Sequence, residues 1–521
     1  MNSSRDPLAG RQAQLEQFAV TAAQMSQIEQ RVFDAGMPVA ALMEKVAGLI
    51  VQQVRSRYSL KPGDRVGVLV GPGHNGGDAL VVARELHLSG CLVQLFQPFS
   101  KLKDLTASHA QYAASLGIPT VQQIEALQSC DLLIDGLFGY GLTRSLEGEV
   151  AEVVNQLNQG TVPIVSIDLP SGLHTDTGAA LGTAIRATHT LCLGLWKLAF
   201  LQEQALAFIG SAELIDFGLP LADVQAVLGT PAVHRITAAS AIAALPLPRP
   251  ASTHKYKQGH LLLVCGSRQY MGAAILAASA ARASGVGMLS VAVPQALQPL
   301  LISQLPDALV VGCPETEAGA IAHLPDTVTL QKYQAIACGC GLTLDAQAVV
   351  QQLLASDRPL LLDADGLNIL AEQNATATLA QRQAPTVLTP HFGEFKRLFP
   401  ALSSSDDPLA AVQQAAHQSG AIVLLKGART AIASPQGKLW LNPDSTPALA
   451  RGGSGDILTG LTGGLLAQGI SWGTAIEAVV QSAAWWHSQA GMMAAQERTE
   501  LGVDAATLSH YLIPALRQRL S

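Results

Sequence analysis

The chain has 521 residues, of which 49% are hydrophobic, 14% charged and 4% aromatic, with a formal net charge of −7. That length suits two to four domains with large buried cores and excludes a disordered chain. The acidic balance, the lack of any Lys/Arg run and the sparse aromatics exclude phosphate-backbone binding and base stacking, and with them a nucleic-acid partner.

Mean hydropathy is +0.28. The most apolar stretch, residues 271–294, is broken by Arg282 and several glycines. No stretch reaches the roughly 18 uninterrupted apolar residues of a membrane span. The opening "MNSSRDPLAGRQAQLEQ" lacks the apolar centre of a signal peptide and is expected to be a polar lead-in. The seven cysteines (Cys91, Cys130, Cys192, Cys265, Cys313, Cys338 and Cys340) are scattered and odd in number. They are read as buried reduced thiols, not as metal or redox pairs. A soluble cytoplasmic protein is expected.

A helical segment at 21–57 comes first. Short apolar strands follow at 65–71, 91–97, 131–139, 163–172 and 188–194, mostly separated by helical patterns. Near-continuous apolar strands alternating with helices predict a parallel sheet covered on both faces. The alternation stops in a stretch with three prolines within six residues, so a boundary is expected at about 225–255. It restarts with a strand at 260–267, a helix at 272–284 and strands at 287–294, 333–341, 359–366, 385–390 and 421–427. The segment 451–469 then opens a helix. The fold class is α/β, with two domains placed at 18–225 and 236–517.

The first strand runs into "GPGHNGGDA" (71–79), which contains the spacing G-x-G-x-x-G. Such a turn lets backbone N–H groups face an anion at a helix start. The next strand carries no carboxylate for a ribose, so ordinary nicotinamide redox chemistry is poorly supported. Asp135 and Asp168 stand at the carboxyl ends of later strands, where open parallel sheets bind ligands. A single strand-end Asp more often caps a turn or helix. Three carboxylates (Asp78, Asp135, Asp168) converging with Asn75 and Ser171 favour a site. The oxygen-rich set Asn75, Asp135 and Ser171 suits a hard cation, and a monovalent one is plausible because few carboxylates compensate it.

In the second half "GGSGD" (452–456) opens a helix, placing Asp456 beside an anion hole of backbone N–H groups. A carboxylate there can deprotonate a hydroxyl that attacks a phosphoryl group. Lys426 ends the strand of "LLKGART" (424–430). Asp363, Asp365, Asn368, His391 and Glu394 lie at further strand ends. His391 is read evenly as structural or functional. No G-x-x-x-x-G-K-[ST] is present, which excludes a P-loop.

Together "GPGHNGGDA", "DGLFGYGL", "DLPSG", "DADGLN", "LTPHFGEF", "LKGA" and "GGSGDILTG" resemble the bifunctional NAD(P)H-hydrate repair enzymes over residues 20–515. The resemblance implies a Rossmann-like three-layer epimerase domain followed by a ribokinase-like three-layer dehydratase domain that uses ADP or ATP. It implies that His74, Asn75, Gly76, Gly77 and Asp78, the loop Gly139, Tyr140, Gly141, Leu142, Thr143, Arg144 and Ser145, and Asp168 contact the hydrated dinucleotide. Asn75, Asp135 and Ser171 would hold K⁺. In the second domain Ala273, Gly341, His391 and Asp456 would line the hydrate site. Lys426, Gly427, Ala428, Arg429, Thr430 and Gly455 would hold the nucleotide, with Mg²⁺. Asp168 and Asp456 are the expected catalytic residues. The substrates would be NADHX and NADPHX, with no nucleic-acid or membrane partner, in a homo-oligomer. The chain departs from the family pattern at His74, Ala79, Ser454 and Lys45. A ribokinase-like small-molecule kinase fused to a dinucleotide-binding module is the alternative.

Overall fold

The computed structural model describes residues 7–403, 405 and 407–520. Two compact units divide between Pro231 and Ala232. The lead-in carries a helix at Pro7–Leu15; residues 1–6 of it lie outside the described set. The helical segment expected at 21–57 is two helices, α1 (Ala22–Asp34) and α2 (Val39–Tyr58). Gly36 (φ +102°) turns the chain between them and Pro38 stands at the N-cap of α2.

The first unit is built on seven parallel strands: β1 (Arg65–Val70), β2 (Leu92–Phe96), β3 (Thr120–Val121), β4 (Leu132–Gly136), β5 (Ile164–Ile167), β6 (His189–Leu193) and β7 (Ser211–Ile215). Their order across the sheet is β3-β2-β1-β4-β5-β6-β7. Val66, Val68 and Val70 of β1 enter one apolar cluster and Leu69 enters another, as period-two alternation requires of a sheet covered on both sides. Helices α3 (His74–Leu88), α4 (Asp104–Ser115) and α5 (Gly148–Gln159) supply part of that cover. The strand order reverses between β1 and β4, so the crevice lies above their carboxyl ends. There the turn from β1 into α3 is tight. A Cβ on Gly71 would sit 1.7 Å from the Leu137 carbonyl oxygen, and one on Gly76 would sit 1.9 Å from that of Gly71.

The second unit holds β8 (Val233–Arg235), β9 (His260–Val264), β10 (Met288–Pro294), β11 (Leu309–Cys313), β12 (Ala335–Cys338), β13 (Leu360–Leu362), β14 (Thr386–Leu388), β15 (Ile422–Leu425), β16 (Thr430–Ala433) and β17 (Leu439–Asn442). Their order is β8-β17-β16-β15-β14-β13-β12-β9-β10-β11, parallel except where β16 pairs with β15 and β17. Leu261 and Leu263 of β9 join a core with α6 (Met271–Ala283), α9 (Ser454–Trp472), α10 (Ile476–Arg498) and α11 (Ala505–Leu520); shorter helices α7 (Ala364–Ala371) and α8 (Phe392–Leu398) follow β13 and β14. Helices α6 and α9 cross closely: a Cβ on Gly460 would lie 1.8 Å from the Ala277 carbonyl oxygen. The order again reverses, between β9 and β12, at the carboxyl edge from which α9 starts. No helix among the described residues is long and apolar enough to cross a membrane.

Candidate active sites

A cavity of about 380 Å³ opens over the β1/β4 switch point of the first unit. His74, Asn75, Asp78, Gly139, Tyr140, Gly141, Leu142 and Asp168 line it, so the structure brings these expected residues together. Helix α3 begins at Gly73 with no side-chain cap, which leaves its first N–H groups at the cavity. Gly76 and Gly77 are buried behind the loop, Gly77 against Met43. Thr143, Arg144 and Ser145 are exposed and do not line the cavity.

Asp168 follows β5 and is 3% exposed. Its backbone sits at φ +67°, in the left-handed region where a non-glycine residue is uncommon. The Lys197 ammonium is fully buried and ion-paired to Oδ1 of Asp168. The backbone N–H of Tyr140 donates to Oδ2 at 2.9 Å. Burial, the largest single influence, would lower the Lys197 pKa, but the charge and hydrogen bond of Asp168 together with Cys192 and Glu29 leave it raised. Tyr140 also bonds through its hydroxyl to Glu29 of α1. Burial pushes the Glu29 carboxyl up, against the pull of Tyr140 and Lys197. Asp78 is pushed well above the usual carboxylate range, by burial first and then by the like charges of Asp168 and Glu29. One cavity thus presents a carboxyl group tied to a cation and a second whose pKa burial raises. Two acids in such different surroundings can take acid and base roles.

Asp135 lies beneath the cavity, fully buried. Its oxygens accept from Ser171 Oγ (2.6 Å), Ser171 N (2.9 Å), Ser166 Oγ (2.8 Å) and Leu137 N (3.2 Å). Burial still raises its pKa, against these hydrogen bonds. Ser171 Oγ lies 3.1 Å from the Phe138 carbonyl oxygen. A Cβ on Gly136, the residue after Asp135, would lie 3.2 Å from the Asn75 carbonyl oxygen, so the three candidate cation ligands share one neighbourhood. The side-chain atoms that Asn75, Asp135 and Ser171 could offer a cation are all oxygens. That donor chemistry fits a weakly charged, oxygen-loving cation.

In the second unit the strand ends converge on the start of α9. Lys426 Nζ lies 2.7 Å from Asp363 Oδ1 and 3.8 Å from Glu394 Oε2. Thr459 of α9 donates to Asp363 Oδ2 at 2.7 Å. A Cβ on Gly455 would be 3.5 Å from Lys426 Nζ. Helix α9 starts from Gly453 without a side-chain cap. Asp456, in its first turn, is pushed up to about 6, by burial first, with Cys340 and Lys426 pulling down and Asp363 and Asp365 pushing up. At the switch point a Cβ on Gly341 would lie 2.9 Å from that of Ala273, so those two expected lining residues are neighbours.

His391 caps α8: its Nδ1 accepts from the N–H groups of Gly393 (2.9 Å) and Glu394 (3.4 Å), and Glu394 accepts from the His391 N–H at 2.8 Å. The ring is 56% exposed, with Nε2 3.6 Å from Glu394 Oε1 and Nδ1 used by the helix. Gly427, Ala428 and Arg429 form the turn from β15 into β16, which Thr430 begins; Arg429 bonds the Pro443 carbonyl oxygen. Ser454 lies 3.3 Å from the buried His487 ring, whose pKa burial lowers to about 4.

Lys197, Glu29 and Thr459 were not legible as site residues. Lys197 stands 29 residues from its partner, in "GLWKLAF", which carries no motif. Its one signal is an isolated lysine within an apolar run.

Residues 39–199 match the family described as "YjeF-related protein N-terminus", and residues 261–514 match the family described as "NAD(P)H-hydrate dehydratase". A protein of Synechocystis sp. named bifunctional NAD(P)H-hydrate repair enzyme is 56% identical, over 96% of this chain and 95% of its own. The chain belongs to the bifunctional NAD(P)H-hydrate repair enzyme family. A relative of the same name from Thermosynechococcus vestitus is 53% identical over 96% of this chain and 98% of its own. A crystal structure of the ADP/ATP-dependent NAD(P)H-hydrate dehydratase of Bacillus subtilis, with ATP/Mg²⁺, is 32% identical over 54% of this chain and 97% of its own, at a TM-score of 0.47.

Proposed function

We propose that this family member repairs hydrated NADH and NADPH, the 18–225 domain interconverting the R and S hydrates and the 236–517 domain dehydrating the S form at the expense of ADP or ATP. The pairing of Asp168 with Lys197 at the floor of the first cavity carries the epimerase reading, because it supplies a fixed, charged base where the ring would sit.

The substrate ring is a carbinolamine. Its nitrogen lone pair expels the C6 hydroxyl, which leaves as water after taking the Asp78 carboxyl proton. An iminium remains. Water then adds to the opposite face, and its proton passes to Asp168. Return of that proton to Asp78 through water restores both groups, so the proton count closes. Asn75, Asp135 and Ser171 would hold K⁺, which would fix the 137–141 loop. Those residues act by holding the loop against the ring and its pyrophosphate.

In the second domain hydroxide is a poor leaving group, so the C6 hydroxyl is first phosphorylated. Asp456 takes the hydroxyl proton as its oxygen attacks the terminal phosphorus of ADP or ATP, releasing AMP or ADP. Loss of phosphate with the C5 proton then restores the dihydronicotinamide. The N–H groups of Gly455 and Asp456 at the uncapped helix start, with Lys426, stabilise the transferring group. Among the described residues no cluster of three His, Cys, Asp or Glu is placed to hold a metal ion. Mg²⁺ would therefore be held largely by the nucleotide phosphates.

Incubation with racemic hydrate tests both halves. Full recovery of NADH absorbance with ADP or ATP is expected. Arrest near half means that the first domain does not epimerise. A stable phosphate ester in place of NADH would establish a kinase instead.

A further inference from the structure

We propose that Lys197 is a positioning residue of the epimerase half: it binds one oxygen of Asp168 and leaves the other directed at the cavity as the proton acceptor. The inference rests on the reading of Asp168 given above.

Lysine normally keeps its ammonium in water while burying its stem. Lys197 is 0% exposed and buries both. Its ammonium meets Asp168 Oδ1, the Leu193 carbonyl oxygen at 2.6 Å and, more distantly, Cys192 Sγ at 3.9 Å. The Tyr140 ring lies 5.7 Å away, closing that side. The residue is aimed by a two-residue strand, Trp196–Lys197, which pairs in parallel with Ala19–Val20. A buried ion pair is rarely more stable than well-packed apolar side chains of the same volume. The fold alone therefore does not account for it, and a second strained feature, the left-handed backbone of Asp168, lies at the same point.

The two carboxylate oxygens of Asp168 are not equivalent. Oδ1 is held by Lys197 and by the Leu193 N–H at 3.3 Å. Among the described residues Oδ2 has only the Tyr140 N–H, and it lies where a Cβ on Gly139, a lining residue, would come within 3.0 Å. Oδ2 is the oxygen presented to a bound ring. Lys197 holds the carboxyl group by its other oxygen and stops it rotating.

The test follows interconversion of purified R hydrate by chromatography, in the full chain and without nucleotide, so that dehydration does not intervene. K197M is expected to lower kcat by about a hundredfold, the lower range for loss of acid–base function, with KM nearly unchanged. K197R is expected to recover most of the loss. Dehydration of S hydrate with ADP should stay at the wild-type rate, and the melting profile reports folding. If K197M does not fold, Lys197→Gln takes its place. Wild-type kcat in the neutral variant, a loss carried mainly by KM, or no advantage of arginine over methionine would each overturn the proposal. D168N separates the two levels. If it still epimerises, the site reading itself fails; if it is inactive while K197M is not, only the role of Lys197 fails.

Discussion

Lys426 and Asp363 form an ion pair at 2.7 Å, and the far oxygen of Asp363 accepts a hydrogen bond from the Thr459 hydroxyl at the same distance. Three elements distant in the chain, the ends of β13 and β15 and the first turns of α9, are thereby tied together at the carboxyl edge of the second sheet.

Lys426→Met breaks that tie and leaves Asp363, 3% exposed at its side chain, without a cation. A loss of about 3–5 kcal/mol in the stability of the second unit is expected, as for other broken buried pairs. Adding Asp363→Asn should restore most of the stability but not nucleotide-dependent dehydration. Denaturant unfolding and turnover of S hydrate report the two effects separately.

Asp456→Asn should lower the dehydration rate by several orders of magnitude and yet make the second unit more stable at neutral pH. The carboxyl titrates at about 6 in the folded chain against 3.8 for the free side chain. A raised folded value favours the native state below the unfolded pKa, and that advantage is lost as pH rises through the folded one. Above pH 6 the charge is carried at a cost of up to about 3 kcal/mol, taking 1.36 kcal/mol per unit. The gain in melting temperature should therefore be full above pH 6, shrink between 6 and 4, and vanish below. Dehydration by the wild-type chain should fall as pH drops through about 6. A stability gain independent of pH would contradict the buried-charge account.

Gly139→Ala places a methyl group 3.0 Å from Asp168 Oδ2 and 3.2 Å from Asn75 Oδ1. Asp168 is pinned by Lys197, so the loop must move. Overpacking of this kind costs about 1–3 kcal/mol. Epimerisation should fall by tenfold or more while S-hydrate dehydration is unchanged. Gly71→Ala, with its methyl group 1.7 Å from a backbone oxygen, should abolish folding of the first unit instead.

Epimerase activity should rise with K⁺ and not with Li⁺ at equal ionic strength, if Asn75, Asp135 and Ser171 form the cation site. Asn75→Ala removes one oxygen ligand and should flatten the K⁺ dependence before it removes activity. Titrating activity against each salt distinguishes this from a general ionic-strength effect.

Much of the fold was legible because parallel strands buried on both faces read as apolar runs. The strands at 65–71 and 260–267, and the helix opening at "GGSGD", stand close to where the sequence places them. The helical segment expected at 21–57 is there as two helices, because Gly36 and Pro38 interrupt it. Strands β7, β11 and the β16–β17 hairpin were missed. The first two are partly exposed strands that lie at sheet edges. At the site, motif loops such as 74–78 announce themselves through glycine spacing. The partners that set their electrostatics do not. Lys197 and Glu29 reach the cavity from elements that carry no signature, and only packing brings their charges to Asp168 and Tyr140.

The left-handed backbone at Asp168 makes that position an indicator of whether the first unit still works. Glycine would relax the chain there outright, and asparagine tolerates the conformation as well as aspartate does. The backbone therefore gives no reason to keep the acid, but the buried Lys197 ammonium does, since losing its partner would leave an uncompensated charge. A lineage that lost its need to epimerise the hydrate would be free to drift there only if Lys197 were replaced as well. In a descendant fusion protein, glycine at position 168 together with an apolar residue at 197 would mark a silent first half in a chain whose dehydratase still works.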